Sequence, residues 1–195
     1  SPTLQAAVGW RSPVTATMRV EAKVTHAHPE CGNGVTWSLE LRRGATRQRL
    51  AAGTAQGSTE AKAGPIENLA VQSGDLVSLL IGPRDGNHSC DLTAIELKIT
   101  SAGDGARAWD LADDVSSDVL AGNPQADRFG NEGVWHFYTE PDKGGGEIGP
   151  VFPTGSLLAR WQTTRDAKEK QKLADDVQRL LTAGPPSAKE SPDAA

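Results

Sequence analysis

The chain has 195 residues, 37% hydrophobic and 23% charged, with 25 acidic against 20 basic side chains and a formal net charge of −5. That length supports one substantial core, or one domain with an appendage. The acidic balance and the lack of any Lys/Arg run exclude an electrostatic nucleic-acid surface, and no apolar stretch approaches the roughly 18 residues of a spanning helix.

The chain opens at Ser1-Pro2-Thr3, as a segment of a longer protein would, so localisation is not legible from the N-terminus. Leu4 to Trp10 is a short apolar run ended by Arg11-Ser12-Pro13. From Thr15 to Val24 the pattern alternates, with Ala16, Met18, Val20, Ala22 and Val24 on one face and Thr17, Arg19, Glu21 and Lys23 on the other. A loop carrying His26, His28, Cys31 and Asn33 precedes a strand from Val35 to Arg42, with Val35, Trp37, Leu39 and Leu41 inward. Thr46 to Ala51 and Ile66 to Val71 are weaker strand candidates.

Two strands from Val71 to Thr100 organise the rest. After the turn Ser73-Gly74-Asp75, Leu76 to Ile81 is almost wholly apolar, as a strand covered on both faces would be. Residues 82–87 break it with turn formers. Ile95, Leu97 and Ile99 then alternate with Ala94, Glu96 and Lys98, a period that a helix would scatter around its axis. Short alternating strands with Gly, Pro and Asn turns predict a mostly β protein, an antiparallel β-sandwich of jelly-roll-like type, over residues 1–101.

Beyond Thr100 the pattern loosens. Gly103-Asp104-Gly105 reads as a hinge, and residues 102–163 as an irregular extension wrapping the sandwich, with Val134 to Tyr138 as an added strand. Its acidic run holds Asp110, Asp113, Asp114, Asp118 and Asp127, carboxylates suited to calcium but without the D-x-[DN]-x-[DN]-G frame, so solvated surface or helix caps are the competing reading. One late helix is expected over 164–183, its apolar stripe made by Leu173, Val177, Leu180 and Leu181 and its end set by Gly184-Pro185-Pro186. Residues 184–195 read as a disordered tail or linker.

Cys31 and Cys90 fit no metal or haem spacing, which leaves a disulfide or two separate buried thiols. Each precedes a strand by a few residues, so if both strands start at one end of the sandwich a bond closes the loop between them. Such a loop, some 60 residues long, would contribute roughly 4 kcal/mol in the chain-entropy model. The same convergence would gather His26, His28, Asn33, Asp85, Asn87, His88 and Asp91 at one end, with Asp85, Asn87, His88 and Asp91 the candidate ligand-binding residues and Asp91 the candidate for a metal such as calcium. Loop ends of a sandwich collect polar residues whatever the function. Asn87-His88-Ser89 is a sequon, meaningful only in a protein secreted by a eukaryote. His136 reads as a structural histidine on a strand. No G-x-S-x-G, H-E-x-x-H, P-loop or strand-linked G-x-G-x-x-G occurs, and the chain reads as non-catalytic.

The stretch GDLVSLLIGPRDGNHSCDLTAIELKI, preceded by GWRSP and CGNGVTW, resembles the jelly-roll modules of bacterial extracellular carbohydrate-active proteins, with Gly74-Asp75 and Asp91-Leu92-Thr93 at the matching turn and strand entry. VWHFYTEP, SLLARWQ and the terminal ESPDAA are similar to a segment of the large multidomain planctomycete proteins that carry a c-type cytochrome domain. That resemblance implies an exported bacterial module, periplasmic or extracellular, with any haem in another domain; it carries no catalytic assignments. The resulting expectation is a carbohydrate-binding module for a polysaccharide or other glycan, with Trp109 or Trp135 as stacking platforms. The alternative is a structural module docking neighbouring domains of a larger redox protein through residues 135–138 and the late helix.

Overall fold

A computed structural model describes residues 3–28, 30–103, 105–116, 118–142, 147–148, 152–183 and 192–193. The elements are β1 Leu4–Arg11, β2 Ala16–His26, β3 Val35–Arg43, β4 Thr46–Ala55, β5 Glu60–Val71, β6 Leu76–Pro83, β7 Thr93–Ser101, β8 Ala108–Asp110, α1 Leu111–Asp114, β9 Trp135–Pro141, β10 Glu147–Ile148, α2 Leu157–Thr163 and α3 Ala167–Ala183, with one 3₁₀ turn at Val119–Ala121. Two compact units divide the chain, Ser1–Gly149 and Pro150–Ala195.

In the first unit one sheet has the order β10-β4-β3-β6-β1-β9 and the other β5-β2-β7-β8. All neighbours are antiparallel except the two-residue β10 on β4. The β3–β6 pair lies in sequence inside β2–β7, and β2–β7 lies inside β1–β9, so the chain folds as nested hairpins around β6. This is the antiparallel sandwich that the alternating pattern predicts. Its interior is built by the predicted faces: Val8 and Trp10, Leu39 and Leu41, Val77 and Leu79 from one sheet, and Met18, Val20, Ala22, Val24, Leu97 and Ile99 from the other, all buried. Each Val, Leu, Ile or Met among them contributes on the order of 1.5–3 kcal/mol by leaving water, enough to fix the register, because a one-residue slip would expose the whole set.

β6 is covered on both faces, as its almost wholly apolar run implies: Ser78 and Leu80, on the face away from the interior, are as buried as Val77 and Leu79. β4 and β5 run further than their weak patterns suggest. In β5 the Gly64-Pro65 break and Asn68 obscure the alternation; Gly64 and Asn68 take positive φ, and the register of β2 on β5 shifts there. An edge strand tolerates a proline and a bulge that a central strand would not.

Residues 102–148 are more than a wrap. They supply β8 to one sheet and β9 and β10 to the other. The acidic run is largely structural. Trp109 donates from Nε1 to Asp127 at 2.7 Å, and Trp135 from Nε1 to Asp114 at 3.1 Å. Asp127 also accepts from the Asn131 side chain at 2.8 Å and from the amides of Asn131 and Phe129 at 2.8 and 3.0 Å. Burial pushes its carboxyl up, but these hydrogen bonds outweigh burial and hold it below the ordinary Asp value. Asp110 and Asp118 cap the two short helical turns. The acidic pattern therefore reads as indole acceptors and caps as much as surface.

In the second unit α3 takes the predicted place, with Leu173 buried and Asp166 accepting from the Glu169 amide at 2.8 Å as its cap. α2, which the sequence reading leaves inside the extension, starts at the cap Ser156, whose Oγ accepts from the Ala159 amide at 3.2 Å. The expected hinge residue Asp104 and the expected disordered tail lie outside the described residues, apart from Pro192 and Asp193 in the tail.

Candidate functional site

Two polar regions of the sandwich compete as a site. The first is the loop end beyond β2, β3 and β7. Cys31 and Cys90 are bonded there, with Cα atoms 5.5 Å apart, which settles the choice between a disulfide and separate thiols. Beside the bond lies His26, only 1% exposed, whose Nε2 is 2.9 Å from the Cys90 carbonyl. A carbonyl only accepts, so Nε2 carries the proton, and buried Nδ1 has no partner. Asp91 is 3.9 Å from His26, its side chain 12% exposed, and both of its oxygens lack a protein hydrogen bond.

The other expected ligand residues do not join Asp91. Asp85 is 82% exposed, at positive φ in the Arg84–Asn87 turn, and sits 3.7 Å from Arg84 Nε. Asn87 accepts from the Ser89 amide at 3.0 Å, and His88 is exposed. Among the described residues no three His, Cys, Asp or Glu side chains gather to hold a metal, so the calcium expectation at Asp91 has no ligand set of that kind behind it. The two expected platforms are also lost. Trp109 and Trp135 are both 0% exposed, and Trp109 lies 5.1 Å from Trp10 and 5.6 Å from Phe129, centroid to centroid. Their indoles belong to the core because β8 and β9 are sheet strands, and a ring with no free face cannot stack on a ligand.

The second region is the opposite face of the larger sheet. Strand alternation that turns Val8, Trp10, Leu39, Leu41 and Trp135 inward puts Gly9, Arg11, Glu40, Arg42, His136, Tyr138 and Glu140 on the outer face. Glu40 is only 2% exposed and accepts from Arg47 at 2.9 Å and from Arg42 at 3.2 Å. Glu140 receives Arg42 at 2.8 and 2.9 Å and Arg47 at 2.9 Å. Burial pushes the Glu140 carboxyl up, and the two guanidiniums more than reverse this, holding it below the usual Glu range. β6 and β1 lie between β3 and β9, so an Arg42–Glu140 pair requires the sheet to curl over this face.

Tyr138 completes the arrangement. Its hydroxyl donates to Ser78 Oγ at 2.8 Å across Gly9, and Arg42 lies 5.9 Å from its ring centroid. A Cβ at residue 9 would meet Leu76 at 2.8 Å and Tyr138 at 3.3 Å, so glycine lets the ring lie across β1. Burial raises the phenol above its usual pKa, with Ser78 and Arg42 opposing, and the group stays neutral.

Next to this network a cleft of about 490 Å³ opens, lined by Arg11, Arg42, Leu76, Asn123, His136 and Tyr138 among others. Its walls are fixed. The Asn123 side chain donates to the Phe137 carbonyl at 2.6 Å and accepts from the Phe137 amide at 3.0 Å, closing the free edge of β9. His136 Nε2 is 2.9 Å from the Gly133 carbonyl, and since a carbonyl only accepts, Nε2 is the donor. Such a volume, with a few fixed polar groups and an aromatic, falls in the range of small-molecule pockets.

The sequence reading missed this site. Arg11, Arg42, His136 and Tyr138 share a face only once β1 is known to sit between β6 and β9, a register no local pattern encodes. Compared with known proteins, the chain matches no family model, no curated protein and no solved structure.

Proposed function

We propose that the sandwich is a non-catalytic carbohydrate-binding module of an exported protein, with the glycan held in the outer-face cleft. The cleft carries this reading: a pocket of about 490 Å³ that combines prearranged polar side chains with the Tyr138 ring. Polar groups already fixed by Gly133, Phe137 and Glu140 pair with sugar hydroxyls at little ordering cost, and hydroxyls left unpaired on desolvation would each oppose binding. The Cys31–Cys90 disulfide supports maturation in an oxidising compartment. Calorimetry against a panel of neutral and acidic oligosaccharides, with incubation products analysed in parallel, tests the proposal. Saturable binding that falls at least tenfold in His136→Ala, without new products, is the expected result. Turnover of any glycan, or binding indifferent to His136→Ala, contradicts it.

One observation favours a second reading, a docking module within a larger protein. In the helical unit Phe152, Leu157, Leu158, Val177, Leu180 and Leu181 line an apolar groove of about 320 Å³, and Leu181 is 75% exposed. The aromatic cluster expected to share that role is less suitable, because Trp135 is buried.

A further inference from the structure

The charge around the cleft narrows the ligand class, an inference that rests on the cleft being the glycan site. In a chain of net charge −5, the charged side chains lining the cleft are, among the described residues, two arginines, Arg11 and Arg42. They are not equivalent. Arg42 shares Glu40 and Glu140 with Arg47, so two guanidiniums face two carboxylates and the network is balanced. Arg11 is exposed, and among the described residues its guanidinium has no hydrogen bond or ion pair. The carboxylate next along the chain from the lining residues Gly74 and Leu76 is Asp75, and it is already taken by Arg43 at 2.9 and 2.6 Å. The cleft therefore presents one uncompensated positive charge beside the polar His136 and Asn123.

A guanidinium offers a planar fork that matches a carboxylate or a sulfate ester, and charge-assisted hydrogen bonds of this kind are about twice as strong as neutral ones. We propose that the cleft takes an acidic glycan, one bearing a uronate carboxylate or a sulfate ester, and that Arg11 pairs with the anionic group. The backbone of Arg11 is anchored on both sides: its amide donates to the Val134 carbonyl at 2.7 Å, and its Cα faces Leu76 in the β1–β6 ladder. The side chain extends from this anchored backbone and is left for a ligand.

Calorimetry with trigalacturonate, its fully methyl-esterified neutral counterpart and a sulfated galactan oligosaccharide tests this on the whole chain, beside Arg11→Ala, Arg11→Lys and His136→Ala. At least one acidic probe should bind about tenfold or more tightly than the neutral ester. Arg11→Ala should remove that preference, weakening the acidic probe roughly 10- to 100-fold and the ester hardly at all. Arg11→Lys should retain part of it. Preference for trigalacturonate identifies the carboxylate, and preference for the galactan identifies the sulfate. Equal binding of acidic and neutral probes, lost in His136→Ala but kept in Arg11→Ala, overturns the acidic ligand and leaves the cleft reading standing. Binding that neither variant alters, or no binding of any oligosaccharide, overturns both.

Discussion

The loop end around Cys31–Cys90 and the outer face of the larger sheet are both polar, but they solve different problems. At the loop end Asn33 and Arg84 bond each other's carbonyls, but the candidate ligand residues are not assembled. Asp91 has two oxygens without a protein donor, His26 has an idle Nδ1, and Asp85 lies almost fully exposed. On the outer face the charges are assembled: Glu40 and Glu140 are each held by Arg42 and Arg47, and Tyr138 is held by Ser78. There a defined cleft adjoins a rigid network. A disulfide can hold loops together without organising their side chains, whereas sheet register organises side chains from four strands at once. Preorganised polar groups are what binding rewards.

The largest effect that separates the regions is removal of the disulfide. Replacing Cys31 and Cys90 by Ala should lower stability by about 4 kcal/mol in the chain-entropy model, read from urea denaturation at low temperature. Glycan affinity of the folded fraction should stay within about twofold, because the ladder that forms the cleft contains neither cysteine. Loss of affinity in a folded variant would show that the two regions are coupled.

Next comes Asp127, which supports the segment leading into β9. Asp127→Ala leaves the Trp109 indole and two backbone amides without acceptors, and a loss of roughly 3 kcal/mol is expected in the same assay. The carboxyls of Asp127 and Glu140 are both depressed in the folded chain. Their contribution is thus present above the unfolded carboxyl range of about pH 4 and is lost as pH falls through their lower folded values. Urea midpoints measured from neutral pH down to pH 2 should fall below about pH 4, and less steeply in Asp127→Asn. A midpoint independent of pH in that window would remove both carboxylates from the account.

A smaller effect is expected of Tyr138→Phe, about 1 kcal/mol, because it strands the fully buried Ser78 hydroxyl. The smallest belongs to Asp91. A buried carboxylate with no donor does little for the fold, so Asp91→Asn should change stability by no more than about 1 kcal/mol in either direction. A loss of several kcal/mol would mean that Asp91 holds a counter-ion, and would return the site to the loop end.

The division between legible and illegible follows the range of the interactions. β2, β3 and β7 were readable because a period of two over five or more residues is a local signal, and β6 because a short, almost wholly apolar run between turn formers is another. β5 was weak because its bulges break that period, and α2 was missed because seven residues give too short a stripe. Trp109 and Trp135 were misread as platforms. Their indole partners Asp127 and Asp114 lie 18 and 21 residues away, and nothing local distinguishes a capped buried indole from an exposed one. The cleft was the least readable feature, since Arg11, Arg42 and His136 converge only through strand order.

The most direct test of the cleft is an amide chemical-shift titration of the ¹⁵N-labelled chain with whichever oligosaccharide binds in calorimetry. The account predicts shifts concentrated at Arg11, Leu76, Asn123 and residues 135–138, with the Arg11 Nε signal moving for an acidic ligand and the amides of residues 85–91 nearly still. Shifts centred on Asp85, Asn87, His88 and Asp91, with β1 and β9 unmoved, would contradict it.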